Sequence, residues 1–196
     1  HEATYSVGMG AARRFVHQVD LSRRKKIIDL GGGSGAYSIT AAKAHPHLQA
    51  VVFDLPPVAE VAREYIAEHG VEDRVCAVGG DFTKDEFPPD CDVAIMASNL
   101  PLYSREIIGQ VILRAFEALA PGGEMHLIGE MLRDDRSGPI GPALWGLAES
   151  INGSTGMAHT EADCIGYFKA AGFEKVIIND FISGTLSRIV GKKPGG

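Results

Sequence analysis

Lys26-Ile27-Ile28-Asp29-Leu30-Gly31-Gly32-Gly33-Ser34-Gly35-Ala36-Tyr37-Ser38-Ile39 reads as an apolar strand, a turn of glycines and the start of a helix. Glycine reaches the positive φ of a tight turn and, lacking Cβ, lets a ligand lie on the backbone. A helix N-terminus beyond such a turn offers unpaired N–H groups and the positive end of a dipole. The combination marks a nucleotide-type cofactor site at the end of the first strand of an open α/β sheet.

Outward from that stretch the chain alternates strands with helices. Apolar residues at Met9, Ala12, Phe15, Val16 and Val19 predict a lead-in helix over about residues 8–20. Strand Lys26–Leu30 leads into a helix from Ser34 to Ala44, which Pro46 ends by disfavouring helical geometry at His45. Further strands are read at Gln49–Asp54, Arg74–Val78, Asp92–Ala97 and Glu124–Glu130. Helices are read from Leu55 to Gly70, from Ser104 to Ala120 and from Thr160 to Ala171. Residues 131 to 157 read as irregular, and Glu174–Asn179 with Thr185–Val190 as two closing strands. The loop between those two is too short for a crossover, so they pair antiparallel. The predicted fold is α/β: a doubly wound, Rossmann-like, mainly parallel seven-stranded sheet with an antiparallel closing pair.

Bulk properties narrow the function. A chain of 196 residues is most simply one domain with a sizeable core. Its net charge of −6 argues against general nucleic-acid binding, which needs a basic face, and the run Arg23-Arg24-Lys25-Lys26 reads as a solvated strand entry. Cys76, Cys91 and Cys164 fit neither a disulfide framework nor a zinc spacing. They read as small core hydrophobes in a reducing, cytoplasmic protein, and no metal is expected. No stretch is apolar enough to span a membrane.

Two acids sharpen the cofactor site. Asp54 ends the second strand about twenty residues beyond the glycine turn, where an acid accepts hydrogen bonds from both hydroxyls of a ribose. Asp81 follows the third strand and can accept from an adenine amino group, with Phe82 flanking the ring. Gly-Gly-Gly-Ser-Gly departs from the dinucleotide fingerprint, the closing pair replaces further βα units, and no Gly-Lys-Ser/Thr phosphate loop occurs. S-adenosylmethionine is favoured over a dinucleotide.

On these residues the chain resembles the class I S-adenosylmethionine-dependent methyltransferases, and within them the plant and bacterial O-methyltransferases of small phenolic and hydroxyindole compounds. The matching segments are Ile28–Ala36, Val52-Phe53-Asp54-Leu55-Pro56, Asp73-Arg74-Val75, Gly80-Asp81-Phe82, Leu119–Gly123, Thr160-Glu161 and Ala170–Phe173. The resemblance implies that Gly31 and Gly33 approach the cofactor, that Asp54 binds ribose and that Asp81 with Phe82 holds adenine. Asp29, Gly35, Leu55, Ala97 and Ser98 complete the candidate cofactor-binding set. The family also has an N-terminal helical domain that dimerises the protein and covers the acceptor pocket. No such segment is read here, so residues 1–196 are expected to be the catalytic half of a longer protein, a homodimer only where that domain is present.

Catalysis in the family uses a histidine on the loop after strand four, because a phenol is a poor nucleophile until its proton leaves. Here that loop is Ala97–Glu106, and Pro101, or Leu102 allowing a one-residue gap, stands in the histidine's place. Of two accompanying acids, Glu130 matches the first and Ala158 occupies the second position. Three explanations stay open. An acceptor already ionised needs only alignment with the methyl group. Another residue serves as base, Glu130 and His159 being the candidates, while His126 reads as a packed strand residue. Or the protein binds the cofactor without methylating, as a regulatory module or as a decarboxylase or rearrangement enzyme using the sulfonium charge. Tyr103, Met131, Trp145 and Met157 are candidate lining residues for a small organic acceptor.

Overall fold

Strand β1 (Lys26–Leu30) lies parallel to β2 (Gln49–Asp54), Ile28 against Val51 and Leu30 against Phe53. Both are almost wholly buried apolar runs, as a strand covered on both faces requires. The computed structural model describes residues 2–195. Strand β3 (Val75–Gly79) adds to β2 in parallel, while β4 (Cys91–Ala97), β5 (Leu119–Gly129), β7 (Leu186–Lys192) and β6 (Glu174–Ile182) continue the sheet on the other side of β1. The full order is β3-β2-β1-β4-β5-β7-β6, with β5–β7 and β6–β7 antiparallel. The order reverses at β1, and open α/β sheets bind ligands beyond the carboxyl end of such a strand. The doubly wound sheet with its antiparallel closing pair is therefore the fold.

The contacts gather into two compact units, one running to Ile95 and the other from Met96. In the first, α1 (Glu2–Gln18) starts earlier and ends sooner than the sequence suggests. Gly8 looked like a boundary but sits inside the helix, where a Cβ would come 3.3 Å from Ala36 Cβ, so the glycine permits close packing on α2 (Ala36–Ala44). That second helix begins at Ala36 and not Ser34, because Gly35 takes a left-handed φ of 80°. Helix α3 (Pro56–Glu68) opens with proline, whose missing N–H costs nothing at a first turn. Cys76 is exposed on β3, the edge strand, and not in the core with Cys91 and Cys164.

In the second unit, α4 (Arg105–Ala118) buries Ile108, Val111, Ile112 and Ala115 on one stripe. Strand β5 begins at Leu119 instead of Glu124; Gly122 N–H donates to the Pro194 carbonyl and the Gly123 carbonyl accepts from Lys193 N–H. Residues 131 to 157, read as irregular, contain helix α5 (Ile140–Ile151). Its prolines fall at the N-cap and the first turn, where they are tolerated, so they do not mark a loop. Helix α6 (Glu161–Ala171) carries a reciprocal cap. Thr160 Oγ1 accepts from Asp163 N–H at 3.1 Å, and the Asp163 carboxylate accepts from Thr160 N–H at 3.1 Å. Asp163 also pairs with Arg105 at 3.0 Å, tying α6 to α4. Among the described residues no helix is long and apolar enough to cross a membrane. Thr160→Ala should lower unfolding free energy by about 1 kcal/mol, the usual worth of an N-cap hydroxyl, read as a shifted urea midpoint with unchanged slope.

Candidate active site

The first unit builds the glycine turn on a buried acid. Asp29 is only 1% exposed, and Ser38 Oγ donates to its Oδ2 at 3.0 Å. Burial pushes its carboxyl up to about 7; the Ser38 hydrogen bond opposes the shift and the nearby Asp54 charge adds to it. Gly32 lies directly over this group: a Cβ there would come 2.7 Å from Asp29 Cγ. Only glycine closes the turn without displacing the carboxyl. Gly31, Gly33 and Gly35 all have positive φ, of 64°, 57° and 80°.

Asp54 reaches the same turn from β2. Its Oδ2 accepts from Gly33 N–H at 2.8 Å and its Oδ1 from Leu55 N–H at 2.7 Å. Each oxygen so held keeps acceptor capacity for a further donor, which suits the paired hydroxyls of a ribose. Nothing lies within 4 Å of a Cβ built on Gly33, so the turn's outer side is open. The residues present thus fit a ribose-bearing cofactor. Asp81 is satisfied locally, accepting from the Thr83 hydroxyl at 2.6 Å and the Thr83 N–H at 2.9 Å, with Lys84 Nζ at 3.1 Å. The Thr83 bonds, chiefly the hydroxyl, hold its carboxyl below the usual range. Phe82 is buried.

Sequence reasoning quoted Gly80 and Ser38 within longer stretches but gave neither a role. A Cβ on Gly80 would come 2.4 Å from Phe53 Cζ, so that glycine lets the β3 turn close onto the β2 ring. The signal for Ser38 was its place in the first turn of α2, facing back toward β1.

The second unit holds the remaining candidates. Ala97 ends β4, and Ser98 follows with a left-handed φ of 64°, its N–H donating to the Ile128 carbonyl at 2.9 Å. Pro101 is buried in a one-turn 3₁₀ helix, Leu100–Leu102. A Cβ on Gly156 would come 2.4 Å from the Pro101 carbonyl oxygen, and one on Gly146 2.3 Å from Ala158 N. Helix α5, the 156–158 segment and the 3₁₀ turn therefore stack without intervening side chains. Glu130 follows β5 beneath the start of α5, where Gly141 leaves room for its Oε2; a Cβ there would come within 2.7 Å. Glu130 is half-buried, and no described residue hydrogen-bonds or pairs with its carboxylate. Trp145 donates from Nε1 to Glu149 at 3.2 Å; Met131 is buried, and Tyr103 and Met157 are half-buried.

His159 is engaged at both ring nitrogens. It is 1% exposed, its Nε2 is 2.9 Å from the Tyr103 carbonyl and its Nδ1 is 2.9 Å from the Tyr167 hydroxyl. A carbonyl only accepts, so Nε2 carries the proton and Nδ1 accepts from Tyr167. Burial lowers its pKa, favouring this neutral form. Both nitrogens are spent on packing. His126 is likewise buried mid-strand, between Glu124 at 3.1 Å and Arg188 at 3.1 Å.

Asp29 has a measurable consequence. Its native pKa of about 7 stands above the ordinary 3.8, so between those values the native state binds the extra proton. Stability from this group is complete below pH about 4 and is lost as pH rises toward 7. Asp29→Asn should remove that slope, so that between pH 5 and 8 the variant loses up to about 2–3 kcal/mol less than the parent. Urea unfolding at the two pH values measures it; parallel curves would show that Asp29 is already ionised in the native protein.

The O-methyltransferase domain model matches residues 5–174. Among curated relatives, 3-hydroxy-5-methyl-1-naphthoate 3-O-methyltransferase of Streptomyces sahachiroi is 32% identical over 96% of this chain and 54% of its own length. L-tyrosine C(3)-methyltransferase of Streptomyces lavendulae is 35% identical over 68% of this chain and 37% of its own. The crystal structure of human N-acetylserotonin methyltransferase in complex with SAM superposes with a TM-score of 0.85 at 26% identity, covering 98% of this chain and 54% of that one. The chain spans about half the length, or less, of these proteins.

Proposed function

Because this chain belongs to the O-methyltransferase domain family, we propose that it binds S-adenosylmethionine at the glycine turn and directs methyl transfer to oxygen on a small organic acceptor. The observation that carries the reading is Asp54, whose two carboxylate oxygens are pinned by Gly33 and Leu55 amides yet still able to accept from ribose. Bound there, the cofactor supplies an electrophilic methyl group on a sulfonium. The left-handed glycines let it lie against the backbone, and Asp81 accepts from the adenine end.

On the acceptor side, Tyr103, Met131, Trp145 and Met157 supply apolar surface, and Glu130 supplies the one unpartnered carboxylate among these candidates. Glu130 fixes the acceptor hydroxyl by accepting its hydrogen bond and takes its proton as the new bond to carbon forms. An acidic enol or similarly acidic hydroxyl gives up its proton to a carboxylate far more readily than an ordinary phenol does. That acceptor class fits a site with Pro101, Ala158 and an engaged His159 in place of a base. The free cysteines suit a reducing cytoplasm, where we place the protein. We assign the catalytic domain to residues 1–196.

A second reading is favoured by the same engaged histidine: cofactor binding without methylation, in a regulatory, decarboxylating or rearranging protein. Release of S-adenosylhomocysteine separates the two.

Calorimetry should register S-adenosylmethionine binding that Asp54→Ala weakens at least about 100-fold, since a charge-assisted pair of hydrogen bonds is lost. No heat at ~1 mM ligand would remove the cofactor reading. Glu130→Gln should leave cofactor affinity unchanged and cut turnover of an acidic-enol acceptor on the order of 100-fold, the lower range for a positioned base. Equal turnover by parent and variant would leave Glu130 out of the chemistry.

A further inference from the structure

Tyr103 lies in extended backbone, φ −130° and ψ 155°, between the 3₁₀ turn Leu100–Leu102 and α4. The first carbonyl bonded within α4 is that of Ser104, which accepts from Ile108 N–H at 3.0 Å, so the Tyr103 carbonyl takes no part in the helix. Its tie comes from 56 residues away. His159 Nε2–H donates to it at 2.9 Å.

The same histidine is fixed on its other sides. Its Nδ1 accepts from the Tyr167 hydroxyl at 2.9 Å, and the two rings meet edge to face with centroids 5.8 Å apart. Its own carbonyl accepts from Leu132 N–H at 2.9 Å, and the Leu132 carbonyl accepts from Glu161 N–H at 3.0 Å. That short parallel bridge joins the exit of β5 to the entry of α6. Just before His159, the 156–158 segment lies against Gly146 of α5 and against the Pro101 carbonyl with no side chain between. One buried imidazole thus sets Tyr103 in register with Met131, next to Leu132, and with Met157, two residues upstream.

We propose that His159 is a positioning residue for the acceptor: its Nε2–H holds the Tyr103 end of the loop after β4 against the Met131 and Met157 segments, and so sets acceptor binding without exchanging a proton with it. The inference rests on the reading of these three side chains as the acceptor's surroundings. Other bonds keep the helices together when this one is lost. Arg105 of α4 pairs with Asp163 of α6 at 3.0 Å, and Asp163 closes the α6 cap with Thr160. Removing the Nε2 donor therefore frees the loop and not the fold.

Two amide side chains separate the two ring nitrogens. Glutamine sets its N–H₂ near the place of Nε2 and donates to Tyr103, whereas asparagine reaches only as far as Nδ1 and leaves that carbonyl without its donor. In hydrogen exchange His159→Asn should speed the amides of residues 99–104 at least about 10-fold, the scale of one lost buried hydrogen bond, while His159→Gln stays within about 3-fold of the parent. Calorimetry should give the same S-adenosylhomocysteine affinity for all three proteins. With lawsone, an acidic enol on a naphthoquinone ring, as acceptor, KM should rise about 10-fold for His159→Asn and stay within about 3-fold for His159→Gln, with kcat little changed in either. Equal loop exchange in the two variants, or kcat falling alike in both with KM unmoved, as loss of a base would give, would each overturn the proposal. If the parent transfers no methyl group to lawsone while still binding S-adenosylhomocysteine, the acidic-enol reading falls, and the exchange comparison by itself upholds or overturns the role of His159.

Discussion

A single residue, Asp54, ties together three chain segments that must meet for the first unit to have a site. Its carboxylate accepts from Gly33 on the β1 turn at 2.8 Å and from Leu55 at the entry to α3, while its carbonyl accepts from Gly80 beyond β3 at 2.8 Å. The strand register makes this possible, since Leu30 pairs with Phe53 and Asp54 with Gly79. A one-residue slip of β2 would send the carboxylate to the other face of the sheet and the apolar run with it. Core packing and site geometry are thus enforced by the same register.

Asp29 shows the cost of the arrangement. A carboxyl buried beneath Gly32, with one hydroxyl donor and a neighbouring Asp54 charge, is a local expense that an ordinary strand end would avoid. Tyr37 beside it is buried with its hydroxyl unpartnered among the described residues, and burial and the Asp29 charge both raise its pKa. Unfavourable groups held in place by surrounding packing cluster at functional sites. Here they sit under the glycine turn.

What the sequence made legible follows from this physics. Strands β1 and β2 are read to the residue because each is a mainly apolar buried run, closed by Gly31 in one case and by Asp54 two residues before Pro56 in the other. The glycine turn and Asp54 were readable because few other residues satisfy such geometry. Helix α5 was not, since Pro139, Gly141, Pro142 and Gly146 carry the signature of a loop. Their reasons are tertiary: Gly146 exists to meet the Ala158 backbone, and Gly141 to clear Glu130. Likewise nothing local to His159 says that Tyr103, 56 residues away, takes one nitrogen and Tyr167 the other.

In the second unit, position 101 is a proline and position 158 an alanine. Pro101 is buried in a 3₁₀ turn whose Leu100 packs at 3.4 Å from the Cβ position of Gly129, and its carbonyl faces Gly156 with no room for a side chain between. His159, just before α6, is folded inward and held at both nitrogens. A larger side chain at 101 would meet a packed turn, because α5 and the 156–158 segment lie on that turn through glycines. How α5 lies on this loop is therefore set by backbone contacts through Gly146 and Gly156, and the start of the same helix clears Glu130 at Gly141.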